Sequence, residues 1–296
     1  EHGEISLDTM VTVSKYAASQ PPSRLGLKAG QKIALRYLIR AAAVKSANDA
    51  ATAIGIALEG SEAAFARRMN RTAAAMGMTR TTFRNANGLT ETGHLSTAND
   101  MSILGRHLIY DFPQYYNLFS RRSADAGIAQ VNNTNRRFLD AYRGADGIKT
   151  GYTRAAGYNL VASAERGSER IIATVFGGSS TADRNAKVSE LLDMGFARAQ
   201  PNVKIVMPSM GAMPADNTVV VASASESTQG TAGKTIRITG LVTTSLRPAA
   251  RPTAASAPLQ VAEADTIAEA LEISPRSADR HWLFARAWLK GAIREQ

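Results

Sequence analysis

Between Ile33 and Leu58 apolar side chains return every three or four residues, which predicts helix. Ile33, Tyr37 and Leu38 mark the first half of this run, and Ala50, Ile54 and Leu58 mark the second. Lys45-Ser46-Ala47-Asn48-Asp49 interrupts the pattern, so two helices are expected to meet there. The next amphipathic run starts at Ser61, an N-cap residue type followed by Glu62, and carries Phe65, Met69 and Met76 up to Gly77. TRTTFRNANGLTETGH then breaks the period with turn-forming residues, and Asn87-Gly88 predicts a tight turn. A third helix is expected from STAND, where Asp100 follows Thr97 by three residues as in a capping box; it should stop before Pro113.

Two apolar stretches, Tyr158 to Glu165 and Arg170 to Gly177, read as strands, and ERGSE between them fits a hairpin connection. Thr181 to Ala199 returns to helical spacing, with Val188, Leu191, Leu192 and Phe196 on one face. A cluster of helices, then a strand edge, a hairpin and a packed helix predict an α/β protein of the α+β type: an antiparallel sheet with helices on it plus a helical cluster. After Pro201 the pattern fades. Residues 1–200 therefore read as the folded domain and residues 201–276 as an Ala/Ser/Thr/Pro-rich linker with a short strand at 234–241. Residues 277–296, which include HWLFARAWLKGAIREQ, read as a C-terminal amphipathic helix holding both tryptophans.

Composition narrows the chemistry. Cysteine is absent, which removes disulfides, thiolate metal sites and a cysteine nucleophile. The apolar runs are short and interrupted by charge, so none spans a bilayer. The chain opens on Glu1 with no charged-then-apolar leader, as expected of a cytosolic protein or of one whose leader has been removed. A formal charge of +10, most of it in the first two hundred residues, favours anionic partners: a membrane surface, a carboxylate-bearing substrate or nucleic acid. Nucleic acid fits worst, because the cations are scattered, aromatics make up 6% and no stacking platform or recognition motif is present. His2, His94, His107 and His281 lie far apart without metal-ligand spacing, so no metal is expected. No glycine-rich phosphate loop occurs, and no nucleotide cofactor is expected either.

Two short polar stretches remain. Lys149-Thr150-Gly151 stands just before the first predicted strand. Alone it reads as a solvated turn; as a site, it offers a cation, a hydroxyl donor and a backbone against which a ligand can lie. Ser46-Ala47-Asn48 is equally two-sided. Ser46 followed by Asp49 matches the start of a capping box, whereas a hydroxyl and an amide at a helix junction can relay a proton and orient a carbonyl.

Taken together and in order, these stretches resemble the D-alanyl-D-alanine carboxypeptidases, low-molecular-mass penicillin-binding proteins of the DD-peptidase and serine β-lactamase superfamily. The resemblance covers roughly residues 1–200 and rests on SANDAATAIG, EAAFARRMNRTAAAMGMTRTTFRNANGL, STANDM, DGIKTGYTRAAGYNLVASA and the Arg184–Phe196 segment with LLDMGF. It implies that a serine attacks the D-Ala–D-Ala carbonyl, the terminal D-alanine leaves, and water hydrolyses the ester. Of the family's motifs SxxK, SxN and KTG, the second falls on Ser46 and Asn48 and the third on Lys149, Thr150 and Gly151. The resemblance implies that Ser46 relays a proton to the leaving amine, Asn48 holds the substrate backbone and Lys149 supplies positive potential. It implies further that the Tyr152 backbone N–H forms half of an oxyanion hole and Arg184 binds the terminal carboxylate. A helix-surface role for Arg184 is the plain alternative.

SxxK itself is absent: no serine has a lysine three positions later. The fold is therefore expected to be incomplete at its N-terminus, with the attacking serine outside these residues. Three functional readings stay open: a carboxypeptidase missing its nucleophile, a serine β-lactamase, and a non-catalytic peptidoglycan-binding scaffold. The expected partners are peptidoglycan stem peptides ending in D-Ala-D-Ala, β-lactams and, through residues 277–296, an anionic membrane surface, although docking of that tail onto a protein fits its apolar residues equally well. The resemblance places the protein in the periplasm or cell envelope.

Overall fold

The computed structural model describes residues 5–200 and 203–215. The helix expected at 277–296, the strand expected at 234–241 and most of the expected linker lie outside the described residues.

A short strand β1 (Met10–Thr12) pairs antiparallel with β2 (Lys32–Ala34), placing Val11 beside Ile33. Between them lies the one-turn helix α1 (Lys15–Ala18), whose first turn is capped by the Ser14 hydroxyl accepting from the Ala17 N–H at 3.0 Å. Ile33, read from spacing as the start of a helix, is instead the buried centre of β2. Helix α2 (Leu35–Arg40) follows and runs into a π-helical turn, Ala41–Lys45, that ends at Ser46. Ser46 in left-handed and Ala47 in extended conformation separate this turn from helix α3 (Asn48–Glu59), so the predicted junction is real.

The Asp49 carboxylate anchors that junction. It is fully buried and accepts N–H bonds from Leu25 at 2.8 Å, Gly26 at 2.8 Å and Leu27 at 3.0 Å, besides its own neighbour Ala50. One buried side chain thus holds three consecutive loop amides, of which the Leu27 N–H belongs to a buried residue. Around it, Leu38, Val44, Ala50 and Ala53 of the helices and Ala126 and Val131 of the later chain form one apolar core.

Helix α4 (Glu62–Ala75) is capped by Ser61, and α5 (Ala98–Asp111) by Thr97, which accepts the Asp100 N–H at 3.1 Å. The Asp100 carboxylate reaches out to the Arg80 N–H at 2.9 Å and the Thr81 hydroxyl at 2.7 Å, which ties the turn-rich loop to the helix. A short α6 (Pro113–Tyr116) and the hairpin β3 (Ser123–Asp125) and β4 (Gln130–Asn132) precede α7 (Arg136–Ala141).

The main sheet is antiparallel with order β5-β6-β7, from β5 (Ala145–Thr153), β6 (Gly157–Arg166) and β7 (Glu169–Gly178). Strand alternation divides β6 between two layers. Leu160, Ala162 and Ala164 point to α8 (Thr181–Arg198), meeting Val188 and Leu192, while Val161 points to α5 and packs with Ile109 and Ile148. Gly105 lets α5 come close, since a Cβ there would stand 3.1 Å from Ile148 and 3.3 Å from Val161. The helices thus cover both faces of the sheet and leave β5 as an edge.

Candidate active site

Lys149, Thr150 and Gly151 lie within β5, not before the sheet as their sequence suggests, and β5 is a full nine-residue strand. Being an edge strand, it carries backbone N–H and C=O groups turned away from β6. Across from it stands the junction between the π-turn and α3. Together they wall a cleft of about 570 Å³ lined by all seven sequence-predicted residues: Ser46, Asn48, Lys149, Thr150, Gly151, Tyr152 and Arg184.

Ser46 has left-handed backbone angles, φ 60° and ψ 43°, unusual for a residue with a side chain. The capping reading of this serine is wrong: the N-cap of α3 is Ala47, which makes no side-chain cap, and the Asp49 carboxylate faces the Leu25–Leu27 amides. Freed from capping, the Ser46 hydroxyl accepts a close hydrogen bond from Lys149 Nζ and lies 3.3 Å from Thr134 Oγ1. The predicted second and third motifs therefore touch through their polar atoms. Asn48 is buried, and its amide donates to the Pro21 carbonyl at 2.9 Å, which fixes it in the cleft wall.

The Lys149 ammonium also donates to the Thr150 carbonyl at 2.8 Å. Burial, with a smaller contribution from the Arg184 cation, lowers its pKa to about 8. Among the described residues no carboxylate lines the cleft to reverse this. The site is a cationic pocket with unspent positive potential, the setting in which an anionic ligand is stabilised. At Gly151 a Cβ would meet only Asn159, at 3.8 Å, so the glycine relieves no clash within the protein and simply leaves the strand edge bare. Beside it the Tyr152 ring is 59% exposed and lies 4.5 Å from the Tyr158 ring at 43°.

Arg184 is no surface residue. It sits in the first turn of α8, 4% exposed, donating to the Asn159 carbonyl at 3.3 Å and the Asn185 side chain at 2.8 Å. Gly178 makes room for it, because a Cβ there would approach Arg184 Cβ to 2.9 Å. Burial lowers the pKa of its guanidinium.

Two contributors escaped the sequence reading. Thr134 joins the cleft from the β4–α7 connection, and the Asn87-Gly88-Leu89 turn forms part of the opposite wall. The turn was legible as a turn, but its place at the cleft depends on the chain around it: Asn85 accepts the Gly88 N–H at 2.8 Å, and Asn87 donates to Gln20 at 2.9 Å and Thr52 at 3.1 Å. Among the described residues no group of three or more His, Asp or Glu side chains converges as metal ligands would. His107 is buried against Asp111 at 2.7 Å, and His94 accepts the Arg84 N–H at 3.3 Å.

The fold and cleft place the chain among the DD-peptidases. Penicillin binding protein 5 from Haemophilus influenzae has a similar structure, with a TM-score of 0.63 and 33% identity over 66% of this chain and 58% of that one. Penicillin-binding protein D2 from Listeria monocytogenes, solved in an ampicillin-bound form, gives 0.56 and 32% over 65% of this chain and 78% of its own. The model of peptidase family S11, described as D-alanyl-D-alanine carboxypeptidase, matches residues 1–180, and the chain belongs to this family. DacF of Bacillus subtilis is 39% identical over 203 residues, 67% of this chain and 52% of its own length. DacA of Escherichia coli is 39% identical over 201 residues, 66% and 50% respectively. The chain thus spans about half the length of the curated relatives it matches.

Proposed function

We propose that this chain supplies the leaving-group and carboxylate-binding half of a serine D-alanyl-D-alanine carboxypeptidase site in the bacterial cell envelope. The reading rests on the hydrogen bond from Lys149 Nζ to Ser46 Oγ, formed in a cleft that Arg184 also lines. A peptide ending in D-Ala-D-Ala would lie along the bare edge at Gly151, with its terminal carboxylate toward Arg184 and Thr150. Its scissile carbonyl would accept from the Tyr152 N–H as charge develops on oxygen. Ser46, hydrogen-bonded to Lys149, would pass a proton to the departing amine, and Asn48 would steady the peptide backbone. The cyclic amide of a β-lactam carries a carboxylate in a comparable place and would enter the same cleft. The attacking serine belongs to SxxK, a motif these 296 residues do not contain.

Mixed with a fluorescent penicillin, the 296-residue chain should gain no stable covalent adduct in its intact mass. A stoichiometric adduct would mean that one of its own serines is the nucleophile. Linked to an SxxK-bearing upstream segment it should become acylated; failure to do so favours the non-catalytic scaffold.

Arg184→Ala should weaken peptides with a free C-terminal carboxylate by about tenfold or more, since a hydrogen bond to a charged group contributes about 1.5–3 kcal/mol. The amidated forms of the same peptides should lose little. Equal losses on both would assign Arg184 to the packing of α8.

A further inference from the structure

Thr134 stands where three elements meet. Its backbone N–H donates to the Val44 carbonyl at 3.1 Å, so the β4–α7 connection is pinned to the π-turn before Ser46. Its neighbours make a stiff seat: Asn133 and Asn135 are buried, and Asn133 accepts the Asn135 N–H at 2.7 Å while donating to the Arg121 carbonyl at 2.8 Å. From that seat the Thr134 hydroxyl lies 3.3 Å from Ser46 Oγ and 2.7 Å from Thr150 Oγ1.

Proton counting gives this row of oxygens a direction. An ammonium has only donors, so Ser46 Oγ must accept from Lys149. The single Ser46 proton is then available to Thr134, the Thr134 proton to Thr150, and the Thr150 proton to whatever occupies the cleft. The opposite sense would present Thr150 as an acceptor, which an anion repels. Among the described residues Lys149 and Arg184 are the charged ones lining the cleft, and both favour the first sense. We propose that Thr134 is a positioning residue that relays hydrogen-bond direction from the Lys149–Ser46 pair to Thr150, so that Thr150 faces an anionic ligand as a donor. This rests on the carboxylate-binding reading of the cleft. Bonds in such a chain polarise one another, so cutting the middle member weakens both ends.

The test compares the wild-type chain with Thr134→Val, which keeps shape and loses the hydroxyl, and Thr134→Ser, which restores it. An N-acylated D-Ala-D-Ala dipeptide and its C-terminal amide are titrated into each and followed by NMR shifts. Thr134→Val should bind the acid about fivefold to tenfold more weakly, with the amide unchanged and Thr134→Ser close to wild type. Unchanged acid binding, or equal loss of acid and amide, overturns the relay. The Lys149 side chain gives a second readout independent of any ligand. Once Ser46 has no onward acceptor, its proton can turn to a neutral lysine, so Thr134→Val should lower the Lys149 pKa by about half a unit and Thr134→Ser should not. If the wild-type chain binds neither peptide, the substrate reading fails by itself; an unmoved Lys149 titration refutes the relay.

Discussion

Lys149→Met should make the protein more stable and less able to bind. The lysine pKa falls from 10.5 to about 8 because burial penalises its charge, so the folded state bears a cost that methionine removes. The side chain is only partly covered, so the gain at neutral pH should be about 1–3 kcal/mol, below the full equivalent of the shift. Its pH dependence follows from the proton balance. Below about pH 8 both folded and unfolded forms hold the proton and the cost is complete. Between about 8 and 10.5 the unfolded chain binds more protons than the folded one, so wild-type stability rises with pH and the advantage of methionine fades. Function should move the other way. In a form of the chain that carries SxxK, Lys149→Met should slow acylation by penicillin by about 10²-fold or more, through loss of transition-state electrostatics. Denaturant melts at pH 7 and pH 10 beside acylation rates check both halves. A variant that is neither more stable nor slower would return Lys149 to the role of a solvated strand residue.

Asp49→Ala should produce the largest loss of stability, about 3–5 kcal/mol. It strips the partner from the Leu25, Gly26 and Leu27 amides at a fully buried position, and each unpaired N–H is expensive. Asp49→Asn should fall between, because one oxygen remains to accept while the added NH2 faces donors. Urea midpoints measure this directly. A loss below about 1 kcal/mol for the alanine variant would show that water takes over the three amides.

These two residues also explain how far the sequence could be read. Helices α4, α5 and α8 were legible because their caps and apolar spacing are local: Ser61, Thr97 and Ser180 each accept the N–H three residues on. Strands β6 and β7 were legible from continuous apolar character. Strand β5 was not, because Asp146, Gly147, Lys149, Thr150 and Gly151 give it the composition of a turn; its polar positions serve the cleft instead of the core. Strands β1 to β4 are three residues each, too short to display alternation. The capping alternative for Ser46 and Asp49 stayed open in the sequence because the amides that claim the Asp49 carboxylate lie more than twenty residues earlier in the chain. Thr134 carries no local signal; only the docking of its loop on Val44 brings it to the cleft. The residues that the family motifs pick out line one cleft, but the motifs do not announce the bond between Lys149 and Ser46.

The left-handed backbone at Ser46 restricts what evolution or an engineer can place there. A second substituent on Cβ crowds the following carbonyl at positive φ, so threonine would bring a hydroxyl at the cost of strain, and valine strain alone. Glycine, asparagine and aspartate accept the geometry, but none offers a hydroxyl that both donates and accepts. Exchanging serine for threonine, ordinarily a mild change, is therefore a severe one at this site, and among short side chains serine alone satisfies both the backbone and the lysine.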